Sequence, residues 1–319
     1  MQRQLLLRMI FMIFVTIMLY GTYVAIKTKI FQFSKESFKI KESVPVYTII
    51  YGKTINIIIQ RNEVTLVSEA AILLATKGSY INDPMRCMVG RGDKCIRYLA
   101  KRVCGAVLID SKKLSMDCIW PATSSYEEQF SRNRQLLRLG TSHLARAAYS
   151  TVGDHMPDII AFNQLGQLLT CDQLKGKYVI LNFFFTRCSV PNMCPATIAR
   201  MIKIQEKILE LKINNVHLVS ISFDSGYDTP SVLNAYGIPR RINSKIYSLL
   251  TIPDMQAKNC VMRQFGIFIQ VAGNYSNHSM AVVLIDPFGK IVYRREGSYW
   301  SEYEFIQQLI LLKSSANNI

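Results

Sequence analysis

Two cysteines separated by five residues, Cys188 and Cys194, are the residues of this chain whose types and spacing most directly suggest chemistry. They follow the apolar run from Tyr178 to Phe185, and Pro195 comes directly after the second thiol. A continuous apolar run of aromatic and β-branched residues predicts a strand covered on both faces, and proline suits the first turn of a helix. The sequence therefore predicts both thiols at the carboxyl end of a central strand, near a helix amino terminus.

This predicted placement suits the chemistry of thiolates. A helix amino terminus stabilises a thiolate and lowers its pKa, and a thiolate is both the nucleophile of disulfide exchange and a soft metal ligand. Strand ends in open α/β sheets are also where ligands usually bind. The alternative for two cysteines at this spacing, in an exported protein, is a structural disulfide that closes the short loop.

The loop from Thr186 to Cys194, called the thiol loop below, belongs to a set of segments that follow one another along the chain. They are VGDHMPDIIAFNQLGQ, LKGKYVILNFFFTRC with CPATIARM, SISFDSGYDTPSVLNAYG, and NHSMAVVLIDPFGKIVYRREG. The ordered set resembles the Sco/SenC family of thioredoxin-fold proteins, which are copper-binding chaperones of cytochrome c oxidase or thiol-disulfide reductases. The resemblance covers Val152 to about Leu312. One departure is the spacing of the cysteines, because the family usually has three residues between them and this chain has five.

The resemblance implies both a fold and a third ligand. The fold class is α/β, with residues 152–319 as a thioredoxin-like domain that has a central mixed sheet and flanking helices. His278 stands at the family position where a histidine completes a two-cysteine copper site. The cis-proline that thioredoxins place beside their thiols has no counterpart in Asn277-His278-Ser279, which favours metal over plain reductase chemistry. Two thiolates and one imidazole suit Cu(I) and can also hold Cu(II).

Three functional hypotheses follow. In the first, the chain is a copper chaperone in which Cys188, Cys194 and His278 hold a copper ion and deliver it to a cytochrome c oxidase subunit or another copper-receiving protein. In the second, it is a thiol-disulfide oxidoreductase, in which Cys188 attacks a partner disulfide and Cys194 resolves the mixed disulfide. In the third, the two cysteines form a permanent disulfide in a non-catalytic adaptor.

The amino-terminal segment predicts a membrane anchor. Residues 9–26 are 18 residues without a charge, which is just enough to cross a bilayer. The sequence TYVAIK at the end of this segment is a poor cleavage site for a signal peptide, so we expect residues 1–27 to be an uncleaved, single-pass transmembrane helix. The family resemblance implies that the thioredoxin-like domain lies on the periplasmic or an equivalent external side of that membrane.

Residues 45–120 predict a small β-rich module. Three short strands are expected over residues 46–51, 54–60 and 64–68, with turns at Gly52-Lys53 and at residues 61–63. Four cysteines of the module are separated by seven, eight and thirteen residues: Cys87, Cys95, Cys104 and Cys118. These gaps match no zinc pattern, because structural zinc sites use pairs two to four residues apart. Disulfides or free thiols are expected, with a second copper-handling or redox module as the alternative.

Residues 121–151 predict a basic helical connector that is interrupted at Gly140, with a helix lying on the membrane as the alternative. The net charge of the chain is +16, of which residues 1–150 carry +12. This excess favours contact with anionic lipid headgroups or an acidic protein over binding of nucleic acid. No glycine-rich phosphate loop follows any predicted strand, so the sequence also gives no support to nucleotide binding.

Four further residues have structural interpretations. Asp228 and Thr229 are expected to form a turn and to cap a helix that begins at Pro230, with a partner-docking edge as the alternative. Cys171 and Cys260 are expected to be packed, unreactive thiols, because a lone buried cysteine behaves as a small apolar residue.

Overall fold

The structure is a computed structural model that describes residues 47–58, 63–68, 72–74, 79–81, 85–89, 102–109, 114–122, 124–145, 147–272 and 275–316. The predicted anchor and Cys95 lie outside these residues. None of the helices that the structure describes combines the length and the apolar character that a bilayer crossing needs.

The described residues of the β-rich module form seven strands: β1 Tyr47–Ile58, β2 Glu63–Ser68, β3 Ile72–Leu74, β4 Ser79–Ile81, β5 Met85–Val89, β6 Arg102–Ile109 and β7 Leu114–Pro121. Five of them close into a barrel in the order β1-β2-β5-β7-β6, and β3 pairs with β4. The predicted turn at Gly52-Lys53 is wrong, because both residues lie inside β1 and pair there with β2 on one side and β6 on the other. Glycine occurs at tight bends of barrel strands and also in turns, so its presence alone does not distinguish the two.

The predicted basic connector is a helix, α1 Ser124–Ser142. It continues through Gly140, so the predicted interruption is wrong. A Cβ atom at Gly140 would lie 3.4 Å from the Gln264 side chain, whose amide nitrogen donates to the Leu137 carbonyl and to Thr141 Oγ1, each at 3.0 Å. Phe130 and Leu137 of α1 are buried, so the apolar face of this helix packs on the domain that follows it.

That domain is built on a seven-stranded mixed sheet. Its strands are β8 Ile160–Asn163, β9 Leu168–Thr170, β10 Tyr178–Phe184, β11 Val216–Ser222, β12 Tyr247–Thr251, β15 Ala281–Ile285 and β16 Ile291–Glu296, and a separate hairpin is formed by β13 Ile269–Ala272 and β14 Tyr275–His278. The sheet order is β16-β15-β10-β11-β12-β8-β9. Strands β10, β11 and β12 are parallel, whereas β15 and β8 are antiparallel to their neighbours β10 and β12.

Helices cover both faces of this sheet. They are α1, α2 Cys194–Glu210, α3 Pro230–Gly237, α4 Met255–Gln264 and α5 Glu302–Ala316, with single 3₁₀ turns at Cys171–Gln173 and Ile238–Arg240. The predicted mixed sheet with flanking helices is therefore confirmed. The segment that contains β12 was not predicted as a strand, although it is buried throughout. The polar composition of residues 273–277 predicts a loop before His278, which is wrong for residues 275–277, because they lie in β14 and pair with β13.

Strand β10 is the centre of the fold, and every one of its residues is buried. Its side chains alternate between the two faces, so that Val179, Leu181 and Phe183 join a core with α1 and α4, while Ile180 and Phe184 join a core with α2 and α5. Each large side chain buried in this way contributes roughly 1.5–3 kcal/mol. The thiol loop thus begins at the end of a strand that is held firmly on both sides.

Candidate metal centre

Both cysteines of the loop lie beyond the carboxyl end of β10, as predicted. Cys188 lies in the loop and is half-buried, whereas Cys194 is the first residue of α2 and is only 1% exposed. The helix begins there because Pro195 occupies its first turn and because Ile198, with further apolar residues at helical spacing, packs on the sheet. The structure holds both thiols in the free form.

His278 is the last residue of β14, and the hairpin brings it to the two thiols. The ligand atoms of Cys188, Cys194 and His278 all lie within 4.8 Å of one another, and the Cys194 Sγ atom is 3.5 Å from His278 Nε2. Among the described residues, no other three or more histidine, cysteine, aspartate or glutamate side chains are grouped closely enough to hold a metal ion. The three residues singled out in the sequence therefore meet at one place, although they come from a loop, a helix start and a separate hairpin.

The surroundings of His278 keep its imidazole neutral and correctly oriented for a metal. Its Nδ1 atom is 3.1 Å from the Ser279 carbonyl oxygen. Since a carbonyl only accepts hydrogen bonds, Nδ1 carries the proton and Nε2 keeps its lone pair toward Cys194. The ring also contacts Phe223 and Phe185, at centroid distances of 4.8 and 5.7 Å. Burial lowers the pKa of His278 and outweighs the opposing hydrogen bond to Ser279.

The electrostatics of Cys194 differ from the sequence-based expectation. A position at a helix amino terminus predicts a lowered thiol pKa, but burial raises the pKa of Cys194, and the neighbouring Cys188 raises it further. Hydrogen bonds from backbone amides act in the opposite direction without compensating. In the metal-free pair, Cys194 is therefore a protonated thiol at neutral pH, and a metal ion must displace its proton to bind.

A buried carboxylate holds the beginning of the thiol loop. Asp228, which is fully buried, accepts a hydrogen bond from the Thr186 amide at 3.0 Å and two more from the hydroxyl groups of Thr186 and Ser222. Because β10 and β11 are parallel, their carboxyl ends meet and the two loops touch. Both expected roles are confirmed, because the Asp228 amide closes a turn on the Asp224 carbonyl at 2.8 Å and the Thr229 side chain caps α3 by accepting from the Val232 amide. The contact of Asp228 with the thiol loop was not predicted.

The next residue of the thiol loop is also anchored, but at the surface. The Arg187 guanidinium donates twice to Asp224 Oδ2, at 3.1 and 2.7 Å, and lies 4.3 Å from the centre of the Tyr227 ring. Exposed ion pairs contribute at most about 1 kcal/mol. The two residues before Cys188 are therefore tied to the β11–α3 loop, Thr186 by a buried carboxylate and the exposed Arg187 by a half-buried one.

Cys171 and Cys260 are not part of this site. Cys171 accepts a hydrogen bond from the Ile159 amide at 3.0 Å, and burial raises its pKa to about 12, which agrees with a packed, unreactive thiol. Cys260 packs against the same core but is half-buried, less than expected. Of the cysteines with described side chains, only Cys188 and Cys194 reach His278 in the metal group.

Comparison with known proteins identifies similar chains. Residues 153–310 match the SCO1/SenC family model. A SCO2-like protein of Rickettsia felis is 32% identical over 139 residues, which are 42% of this chain and 65% of the relative. The mitochondrial protein SCO2 of Saccharomyces cerevisiae is 28% identical over 170 residues, 51% of this chain and 54% of the relative. The matched part thus spans 54 to 65% of the length of these two relatives. The structure of Arabidopsis thaliana ScoI with copper bound aligns with a TM-score of 0.43 and 22% identity, over 50% of this chain and 96% of that one.

Proposed function

Because this chain belongs, through residues 153–310, to the SCO1/SenC family, we propose that it is a copper-binding chaperone for the assembly of a cytochrome c oxidase copper centre. Cys188, Cys194 and His278 bind the copper ion and release it to an oxidase subunit by ligand exchange. The observation that carries this proposal is the convergence of their three ligand atoms within 4.8 Å.

The donor set fits copper. Thiolates are soft ligands that favour Cu(I), and imidazole also suits copper. Metal bonds of about 2.0–2.3 Å to nitrogen and sulfur place neighbouring ligand atoms roughly 3.5–4 Å apart. The Cys194 to His278 separation of 3.5 Å is already in that range, so the separations that have to shorten involve Cys188, and since none exceeds 4.8 Å a movement of about 1 Å is enough. Cys188 can supply this movement, because it lies in the loop between β10 and α2.

Each ligand has a distinct part in the proposed delivery. His278 is the fixed ligand, because Ser279 orients its ring and Phe185 and Phe223 flank it. Cys194 is the buried ligand that loses a proton when copper binds. Cys188 is the more exposed of the two thiols, so an incoming ligand of the acceptor protein replaces it first.

The first test is a titration of Cu(I) against a competing chelator, with the full-length reduced protein in detergent. One copper ion per chain is expected, and Cys188→Ser or His278→Ala should weaken its binding by about 1000-fold, because each removes one of three ligands. The matched control is Cys260→Ser, which alters a half-buried thiol outside the site. Equal affinity in the wild type and the two site variants would contradict the proposed centre.

A thiol-disulfide oxidoreductase is the second candidate, and the unequal exposure of the two free thiols favours it. The Cys188 thiolate would attack a partner disulfide, forming a mixed disulfide and releasing one partner thiolate. The Cys194 thiolate would then attack the Cys188 sulfur, releasing the second partner thiolate and leaving a Cys188–Cys194 disulfide. In this case Cys194→Ser accumulates a mixed disulfide with a model substrate, and Cys188→Ser does not. An adaptor with a permanent Cys188–Cys194 disulfide stays a prediction, and it requires that neither thiol of the unreduced protein react with a thiol reagent.

We also propose that residues 1–27 anchor the chain in a membrane, with the copper-binding domain on the periplasmic or an equivalent external side. The support is the uncharged stretch of 18 residues at positions 9–26. The test is alkaline extraction of membranes, followed by protease treatment from the outside. Release of the protein by alkali would contradict the anchor, and protection of the domain from external protease would contradict the orientation.

A further inference from the structure

Two methionines lie beside the metal centre in surroundings unlike those of the core methionines. Met193 directly precedes Cys194, and Met280 follows His278 by two residues. Met193 is half-buried. Met280 is only 6% exposed, yet neither of the two core clusters formed by the described residues contains it. Met201 and Met262, in contrast, are members of these clusters. The first two methionines therefore lie outside the two apolar cores of the sheet and its helices.

Both of them line a groove that opens to solvent beside His278. The groove has a volume of about 560 Å³, and its lining residues include Tyr149, Val190, Met193, Phe268, His278 and Met280. His278 is the one residue of the candidate metal centre among the described residues of this lining. Its ring therefore borders the groove and also lies 3.5 Å from the Cys194 sulfur.

The groove presents soft and uncharged donors to an ion. A thioether is a soft ligand that favours Cu(I), and it binds without losing a proton. The acidic side chain in the lining is Glu296, which accepts a hydrogen bond from Tyr149 at 2.8 Å and pairs with Arg294 at 3.1 Å. Both of these contacts are made by Oε1, and a carboxylate is a hard ligand, so the two thioethers and the imidazole are the donors that suit Cu(I).

We propose that Met193, Met280 and His278 form a second, weaker Cu(I) site. The ion occupies this intermediate site on its way between solvent and the two cysteines. The inference rests on the proposed function and adds a route to it. The ion keeps its bond to His278 Nε2 while the thiolates of Cys188 and Cys194 replace the thioethers, and the thiol protons leave to water. Copper remains Cu(I) throughout, so no electron is transferred.

The first experiment removes the two thiols and measures Cu(I) binding at the intermediate site alone. The full-length Cys188→Ser/Cys194→Ser variant, labelled with ¹³C in its methionine methyl groups, is titrated with Cu(I) under anaerobic conditions. The Met193 and Met280 signals should shift and saturate near one equivalent, while those of Met201 and Met262, in the core, stay in place. Methyl signals of Met193 and Met280 that do not move would overturn the proposal.

The second experiment keeps the thiols and measures the rate of loading. Transfer of Cu(I) from a chelator to the full-length protein is followed by stopped flow for Met193→Leu/Met280→Leu. Leucine keeps the size and apolar character of methionine, so we expect transfer to slow by roughly 5-fold or more while the equilibrium affinity changes by less than about 2-fold. Met201→Leu/Met262→Leu is the matched control and should load at the wild-type rate.

The outcomes separate this inference from the proposed function. An unchanged loading rate of Met193→Leu/Met280→Leu would overturn the intermediate site. A loss of affinity as large as the loss of rate would overturn it too, because both methionines would then contribute to the site formed by the two cysteines and His278. A wild-type protein that does not bind Cu(I) through its cysteines would instead contradict the proposed function, whatever the methyl signals of the thiol-free variant show.

Discussion

The two ends of the central sheet each contain a buried histidine, and the difference between them shows what makes a ligand. His217 lies in β11, near its amino end, and His278 lies beyond the carboxyl ends of β10 and β11; they are 8% and 6% exposed. Burial lowers the pKa of both. His217 Nε2 is bonded to the Ser248 hydroxyl at 2.9 Å, whereas His278 Nε2 faces a thiol. Burial makes each ring neutral, but only the neighbours of His278 supply further soft donors.

Removing each imidazole in turn should give the largest contrast. His278→Gln is expected to lower the Cu(I) affinity by about 1000-fold, because one of three ligands is lost. His217→Gln should change that affinity by less than about 2-fold, since its ring lies at the other end of the sheet. Competition titration of both variants measures the difference. Similar losses in the two variants would mean that neutral buried histidines matter here only for folding.

The second contrast is the pH dependence of stability. Burial, and secondarily the charge of Lys177, lowers the pKa of His217 from 6.5 to about 4. Between these values the unfolded chain binds a proton that the folded chain does not, so the stability that is present above pH 6.5 is lost as the pH falls toward 4. The full effect is about 3 kcal/mol.

Chemical denaturation at pH 7.5 and pH 4.5 measures this loss. His217→Gln should lose less stability than the wild type between these two pH values. His143→Gln, at an exposed position of the chain, is the control and should behave like the wild type. An identical pH dependence for His217→Gln would show that the proton is not excluded from this end of the sheet.

The anchoring of the thiol loop should give a smaller effect. Asp228→Asn keeps the size of the side chain but removes the charge and turns one acceptor into a donor, so that the hydrogen bond with the Thr186 hydroxyl has to reverse its direction. The loop should loosen around Cys188, and the Cu(I) affinity should fall by roughly 10-fold, as is usual for groups that support a metal ligand. The wavelength of the thiolate-to-Cu(II) absorption band should shift as well, which a uniform loss of stability does not explain.

The smallest effect is expected at Arg187, the exposed one of the two residues that tie the start of the thiol loop to the β11–α3 loop. Arg187→Lys loses the paired hydrogen bonds to Asp224 and the stacking on Tyr227. The free energy of unfolding should change by less than about 1 kcal/mol, and the change should shrink further at high salt. A larger effect on metal affinity than that of Asp228→Asn would reverse the assigned ranking of buried and exposed anchors.

The linear sequence predicted best where the pattern is local. The apolar run of β10, the proline at the start of α2 and the cap at Thr229 are short-range signals, and the structure confirms each of them. Strand β12 was missed because its five residues are too short a run to be assigned from the sequence. The β13–β14 hairpin was missed because its polar residues lack the apolar alternation by which strands are recognised.

Three further features depend on contacts with residues that are distant in the sequence. Gly52 looks like a turn until two neighbouring strands pair with it, and Gly140 looks like a break until the Gln264 side chain packs against it. Asp228 forms the expected turn, its amide donating to the Asp224 carbonyl at 2.8 Å, but the pattern of the sequence does not show that Thr186, 42 positions away, donates to its carboxylate. For the two glycines the residue type fits both roles, and for Asp228 the second role is added by the tertiary contact.

The sequence by itself determined the ligand types, since thiols and an imidazole are chosen by residue identity, and it placed the two thiols together because they share one strand-loop-helix unit. Only the tertiary structure decided the rest. His278 is 84 positions from Cys194, and a hairpin outside the main sheet carries it to the thiols. The raised pKa of Cys194 is likewise a tertiary result, because it follows from burial under neighbouring elements, which outweighs the helix terminus that the sequence alone reveals.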